Sequence, residues 1–427
     1  METAEAAVPE QTLATGGEPP CARSAVTDNG RPVKIEPDLD FIRAVSVQGA
    51  ESFKKCFQCG TCAATCPISP DVHPFPRKEM AWAGWGMKDR LLTDPDVWLC
   101  HQCNDCSTRC PRGGRPGEVL AAIRRESILH YAMPRFLARL MNQQKYIPLR
   151  LGIPAILLGL ALLFRDRLGS AMGFATTVGE DIVYSYSPMF PHWLLNSFFG
   201  LFSLLAFVAV VVGLVRFWRA MTAGYAWWGE PKVKKGILAS IVATFRKVIT
   251  HDNFTKCRAR NSRAVAHYLL FFGFVALTAV TLWVITGSVN PIIREEFVYP
   301  FSFWSPWKIL ANIGGIAVLA GCFLMLWERL TDQPNAGFSL FFDWAFLWTL
   351  FAVVLTGFAT EALHYLRMVP HRHVAYFIHL VFVFSLLIYL PYSKFAHIFY
   401  RFAAMVFAER IGRESNGASS GQEVEPR

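Results

Sequence analysis

Charged side chains are scarce: Asp, Glu, Lys and Arg make up only 17% of the 427 residues, against 53% apolar and 14% aromatic. That balance excludes an ordinary soluble chain, in which about a quarter of residues are charged. A secretory leader is lacking too. Met1 to Pro20 offers neither a basic start nor an apolar stretch, so whatever precedes the first apolar run is expected to stay in the cytoplasm. No Gly-rich dinucleotide fingerprint occurs, which argues against bound FAD or NAD. The net charge of +10 does not point to nucleic acid, because the basic residues gather beside apolar runs, where they read as orientation signals.

What is present is unevenly spread. Residues 1–37 are rich in Ala, Glu, Gly and Pro and are expected to form a disordered N-terminal tail. Residues 38–135 carry most of the cysteines, with a short helix expected over Phe75–Leu92 between the two groups. Residues 136–405 hold six apolar stretches of membrane length, near 149–167, 192–215, 265–287, 307–327, 342–363 and 374–393. Residues 406–427 read as a C-terminal tail. The connector 216–264 carries Arg216, Arg219, Lys232, Lys234, Lys235, Arg246 and further basic residues against Glu230 and Asp252, which marks it as cytoplasmic. The expected fold class is mainly α: a compact cysteine-rich head on a six-helix transmembrane bundle in the cytoplasmic membrane, with head and both termini inside. Arg150 interrupts the first stretch, and an interfacial helix is the alternative there.

Eight of the eleven cysteines fall into two runs, Cys56-Phe-Gln-Cys59-Gly-Thr-Cys62-Ala-Ala-Thr-Cys66-Pro67 and Cys100-His-Gln-Cys103-Asn-Asp-Cys106-Ser-Thr-Arg-Cys110-Pro111. Both follow C-x2-C-x2-C-x3-C-P, the run that wraps a [4Fe–4S] cluster and lends its fourth cysteine to a second one. One cluster is therefore expected on Cys56, Cys59, Cys62 and Cys110, the other on Cys100, Cys103, Cys106 and Cys66. Zinc needs only one four-ligand set and disulfides suit an oxidising compartment, so neither explains a duplicated run. Cys21, Cys257 and Cys322 stand alone. His101 lies inside the second run, where the ligand positions are already filled.

Ionisable residues in apolar spans are costly and mark function. His379 and His397 are five helical turns apart, roughly 27 Å along one helix face, a spacing suited to two stacked haems. His267 opens the third span and His397 follows the sixth at the same expected depth, which pairs them as axial ligands of an inner b-type haem. His379 needs a partner near the other surface: His192, with His364 the competing choice. His371 and His373 read as solvent-facing loop residues.

The segment Tyr376-Phe-Ile-His379 to Pro391-Tyr-Ser-Lys394-Phe-Ala-His397 resembles the last helix of respiratory nitrate reductase gamma subunits and of the cytochrome b of heterodisulfide reductase. His267-Tyr-Leu-Leu-Phe-Phe-Gly-Phe is similar to that family's haem helix, although the second histidine of the gamma subunits is Leu277 here. The cysteine head resembles the C subunit of heterodisulfide reductase. With Lys54-Lys55-Cys56, Pro76-Arg-Lys and Trp98-Leu-Cys100 it is especially similar to the C subunit of the quinone-interacting membrane-bound oxidoreductase. The resemblance implies a component of a quinone-dependent oxidoreductase. It would pass electrons between menaquinone or ubiquinone and soluble flavin and iron–sulfur subunits that engage adenylylsulfate reductase, through one or two b haems and two [4Fe–4S] clusters. The chain lacks the paired adjacent cysteines of a heterodisulfide-cleaving site, so sulfur chemistry would belong to partners. The rival expectations are a heterodisulfide reductase-like or sulfite-reductase-associated subunit, and a redox-sensing membrane anchor without catalysis.

Overall fold

The computed structural model describes residues 36–70, 72–173, 186, 189–225, 233–251, 261–290, 292–293, 301–331 and 337–413, together with strands at 27–28 and 31–32. Most of the expected 1–37 tail and residues 414–427 lie outside the described residues. Within the N-terminal segment, β1 (Thr27–Asp28) and β2 (Arg31–Pro32) pair antiparallel. Among the described residues from Asp38 onward the regular elements are all helices, and they belong to a separate compact unit.

That unit opens with α1 (Leu39–Val47), whose first turn is capped by Asp38 accepting from the Phe41 amide at 2.8 Å. Short helices follow: α2 (Thr61–Thr65), α3 (Arg77–Gly84), α4 (Lys88–Thr93), α5 (Asp96–Leu99) and α6 (Asp105–Thr108). The single helix expected over 75–92 is thus two, because Gly86 takes a left-handed φ of 67° between them. The longer α7 (Pro116–Tyr131) starts on a proline, which suits the first turn of a helix. Then come α8 (Arg135–Asn142), α9 (Ile147–Leu163), α10 (Arg165–Ala171), α11 (His192–Tyr225) and α12 (Ile237–Thr250). The chain ends with α13 (Asn261–Val289), α14 (Pro306–Thr331), α15 (Phe341–Tyr365), α16 (Val369–Ile388) and α17 (His397–Ile411).

Six helices are long and apolar enough to cross a membrane: 144–163, 192–225, 263–289, 306–331, 341–365 and 369–388. They leave large apolar side chains uncovered, such as Phe207, Leu282 and Ile316, each about 60% exposed. In water such a surface would aggregate; against lipid it is solvated. The chain is a multi-pass membrane protein. Arg150, which interrupts the first apolar stretch, is satisfied within the protein. Its guanidinium donates to Leu140 O at 3.2 Å and Gln143 O at 3.1 Å, and sits over the Phe341 ring.

The cysteine-rich head does not close its own core at residue 135. Helix α11 overruns its expected end by ten residues, and Phe217 and Met221 are fully buried among Val45, Leu91, Trp98 and Ile123. From the other end of the chain, Tyr400 stacks on Trp98 at 5.3 Å between ring centroids. Residues 406–413, expected in a tail, are largely helix and buried. Burying one large side chain stabilises by about 1.5–3 kcal/mol, so these aromatic contacts hold the head to the ends of α11 and α17.

Helices α13 and α14 cross at glycines. A Cβ on Gly273 would meet Gly314 O at 2.6 Å, and one on Gly321 would meet Ala266 O at 2.8 Å. Such close backbone approach suits helix pairs in lipid, where packing replaces the hydrophobic drive. Gly273→Val should therefore part these helices at a cost of about 1–3 kcal/mol, visible as a lower melting temperature in detergent. Gly159, whose Cβ would meet nothing, is the control position.

Candidate functional site

The two cysteine runs fold into matching loops. Gln58 and Gln102, each just before its run's second cysteine, have φ of 61° and 55°; Gly60 and Asn104, just after it, have 84° and 68°. Left-handed backbone is unfavourable for glutamine, so the same unfavourable turn built twice marks a shared purpose. These turns aim donors at sulfur. The Gln102 amide is 3.3 Å from Cys100 Sγ, the Gly114 amide 3.2 Å from Cys110 Sγ, and Gln58 Nε2 3.2 Å from Cys56 Sγ. Gly114 is needed here, because a Cβ would stand 3.2 Å from the Cys110 sulfur.

The sulfurs gather around two clefts. Cys56, Cys59, Cys62 and Cys110 line one of about 380 Å³, with Phe57, Arg77 and Arg112 beside them. Cys66, Cys100, Cys103 and Cys106 line another of about 360 Å³, with Phe75, His101 and Asn104. Each run thus sends its last cysteine to the other run's cleft. A single zinc bonded at 2.3 Å to each thiolate needs sulfurs about 3.8 Å apart. Among the described residues no three of these sulfurs lie within 4.8 Å of one another, so one zinc per cleft does not fit. A multi-iron cluster, with each thiolate on its own iron, does. Burial pushes the Cys62 thiol up to about 11 and Cys66 to about 12, so metal entry must displace protons there.

The second cleft is built against the membrane helices. Arg401, one turn into α17, donates to Leu99 O at 3.2 Å and lies 2.7 Å from His101 Nε2. Arg263, near the start of α13, donates to Gln102 O at 3.1 Å. Arg124 donates to Cys100 O at 2.9 Å and Gln102 Oε1 at 3.1 Å. His101 is held well below its usual range, by burial first and then by the charges of Arg401, His267, Arg124 and His251.

The histidines divide into two groups. His397 Nδ1 donates to Lys394 O at 2.6 Å, which leaves Nε2 as the unprotonated ring nitrogen. His267 Nδ1 is 3.3 Å from Nε2 of His251. No sequence pattern marks His251. It sits in the polar connector, in a left-handed conformation just past α12, a helix where the composition reads as a loop. In the other group, His379 Nδ1 donates to Val353 O at 3.1 Å, and its ring packs on Gly357. His192 opens α11, and His364, near the end of α15, faces Tyr186 at 5.6 Å.

One geometric expectation is overturned. His379 and His397 do not share an unbroken helix. α16 stops at Ile388, two 3-10 turns follow at Leu390–Tyr392 and Lys394–Ala396, and His397 begins a new helix. Pro391 has no N–H for the ladder and its ring crowds the preceding turn. The five-turn, one-face spacing therefore does not apply.

Residues 52–113 match the family described as 4Fe-4S dicluster domain, and residues 158–419 match Citrate utilization protein B. Citrate utilization protein B of Escherichia coli is 27% identical over 404 residues, covering 90% of this chain and 96% of the relative. A protein of Archaeoglobus profundus similar to the heterodisulfide reductase C subunit is 41% identical over 86 residues, 20% of this chain and 46% of its own. The C subunit of the H2:CoB-CoM heterodisulfide,ferredoxin reductase of Methanothermobacter marburgensis is 34% identical over 90 residues, 21% and 49%. The chain spans about half the length of these two reductase relatives. No solved structure matches. The chain is an iron–sulfur electron-transfer protein whose 4Fe–4S head is of the heterodisulfide reductase type. The match over more than half its length makes it a member of the citrate utilization protein B family.

Proposed function

We propose that this protein is the membrane component of a quinone-dependent oxidoreductase, carrying electrons between a soluble partner and the quinone pool through two [4Fe–4S] clusters and b-type haem. The supporting observation is Arg401. Its guanidinium bonds the loop of the second cleft at Leu99 O and His101, while its helix begins at His397. That gives a short bonded route from a histidine at the end of the membrane helices to a cysteine site in the head.

His267 and His397 are the proposed axial ligands of the haem on the head side. A ligating histidine ordinarily donates its other ring nitrogen to a carbonyl or similar acceptor, which fixes tautomer and orientation; His397 does so to Lys394 and His267 faces His251. Haem, when bound, supplies the one-electron step between two-electron quinol and the clusters. The chain's own residues orient it, exclude water and hold protons on Nδ1. The same carbonyl bond at His379 supports a second, outer haem. Its partner is His192. The ring pairs Phe190–Tyr376 and Phe198–Phe384, which hold the start of α11 beside α16, support His192 over His364 as that partner. The head, on this reading, is cytoplasmic, beside the basic connector.

The family name, Citrate utilization protein B, supports a partner that acts on citrate or a similar carboxylate. The adenylylsulfate reductase link rests on the sequence resemblance, and co-purification of the soluble subunits separates the two. The haem reading is tested by a reduced-minus-oxidised spectrum and by haem stoichiometry. Menaquinol or ubiquinol should reduce b-type absorbance in the purified protein. His397→Ala and His267→Ala should each remove one haem while iron content in the clusters stays unchanged, and His379→Ala should remove the other. Full haem retention in the first two variants would sink the assignment.

A further inference from the structure

The two clefts face different surroundings. The Cys100 side is covered by Arg263, Arg401 and the chain around Phe338, whose amide donates to Glu118 at 3.1 Å. The Cys59 side has no such cover from the membrane helices among the bonds of the described residues, and its residues reach the surface. Cys59 is exposed, and the neighbouring Phe57 is 68% exposed with the Arg112 guanidinium 4.1 Å above its ring. Arg77 and Arg112 line this cleft, and Lys54, Lys55, Arg109 and Arg115 are exposed beside its cysteines in sequence. The sole exposed acid in segments 51–62 and 107–115 is Glu51, which pairs with Lys54, and Arg115 pairs with Glu118 at 2.9 Å, which leaves Lys55, Arg77, Arg109 and Arg112 to carry the face. These cations lie in the head rather than beside the spans, so membrane orientation does not account for them.

We propose that this basic face is the docking surface for a soluble electron-carrier protein with an acidic face, and that the cluster behind Cys59 is the one that exchanges electrons with it. The proposal rests on the reading that both clefts hold clusters. A ring of one charge sign around an exposed redox centre raises the encounter rate of an oppositely charged carrier and orients it. Phe57 supplies the apolar contact at the middle of the patch, with a polar rim around it. The Cys100 cluster then has one role, as the relay between membrane helices and the outward cluster.

The test uses the full chain in detergent, reduced with dithionite and freed of excess reductant. Two copper or haem proteins of opposite charge serve as acceptors: acidic plastocyanin and basic cytochrome c. One electron leaves a reduced [4Fe–4S] cluster, returning it to its oxidised state, and converts Cu(II) to Cu(I) or haem Fe(III) to Fe(II); no proton moves. Stopped-flow absorbance at low salt should show plastocyanin reacting about tenfold or more faster than cytochrome c, the two rates converging as salt screens the face. The triple variant Lys54→Glu, Lys55→Glu, Arg109→Glu, at exposed positions outside the cleft lining, should reverse the order with unchanged iron content. A faster wild-type reaction with cytochrome c, or a triple variant that keeps the wild-type order, would overturn the proposal. Absence of any cluster signal in the reduced protein would instead overturn the cofactor reading beneath it.

Discussion

Cys66→Ala should lose the same cluster as Cys103→Ala, not the same one as Cys59→Ala. Cys66 and Cys59 share a run, but Cys66 lines the cleft of Cys100, Cys103 and Cys106, while Cys59 lines that of Cys56, Cys62 and Cys110. Removing one of four thiolates leaves an iron without its protein ligand in a sulfur-lined site, and the whole cluster is expected to go. Each single variant should keep half of the cluster iron. The double variants decide the matter, because lesions in one site do not add whereas lesions in separate sites do. Cys66→Ala with Cys103→Ala should still keep half, and Cys66→Ala with Cys59→Ala should keep almost none. Ligation within each run would give the reverse, and colorimetric iron with EPR of the reduced protein reads the difference. Since Phe75 and Ile68 pack around Cys66 and Cys103, the head should stay folded in the singles, which circular dichroism checks.

The eight cysteines and the six spans are legible in the sequence because each is a local pattern: a fixed spacing, or a run of apolar residues as long as the bilayer is thick. Pro391 is legible too, and the rule that proline ends a helix outweighs the attraction of five whole turns between His379 and His397. His251 is not legible. It lies in a basic connector of ordinary composition, and only the meeting of the end of α12 with the start of α13 brings its ring to His267. Arg401 is hidden for a related reason, because its partner His101 is 300 residues away in sequence. The share of Phe217, Met221 and Tyr400 in the head's core is hidden too, because they have the character of membrane-helix residues until α11 and α17 are seen to run on into the head.

The least legible feature is a buried charge cluster, and it carries the second large effect. Glu79, Asp94 and Asp96 have carboxylate oxygens within 4.8 Å of one another. Lys78 pairs with Glu79 at 2.7 Å, with Asp96 at 2.8 Å and with Asp94. Arg413, from the far end of the chain, pairs with Asp96 and donates to Val72 O at 2.9 Å and His73 O at 2.6 Å. Three carboxylates face two cations, so the cluster is neutral when it holds one proton. Burial raises both Glu79 and Asp94, and Glu79, opposed by Lys78 and reinforced by Asp94 and Asp96, is pushed up to about 8. Arg413→Met should cost about 3–5 kcal/mol, because it leaves Asp96 buried beside two other acids with Lys78 alone. The folded protein holds a proton that the unfolded chain releases above its ordinary carboxylate range. Stability should therefore fall as pH rises from about 4.5 to about 8, where the folded group finally ionises. Glu79→Gln keeps the shape, removes the proton and should flatten that slope while raising stability at neutral pH. Denaturant melts of the detergent-solubilised protein, followed by loss of the iron–sulfur absorbance at several pH values, test both variants. If the wild-type slope persists in Glu79→Gln, the proton resides elsewhere; if Arg413→Met melts like wild type, the C-terminal clamp on the head is not what holds it.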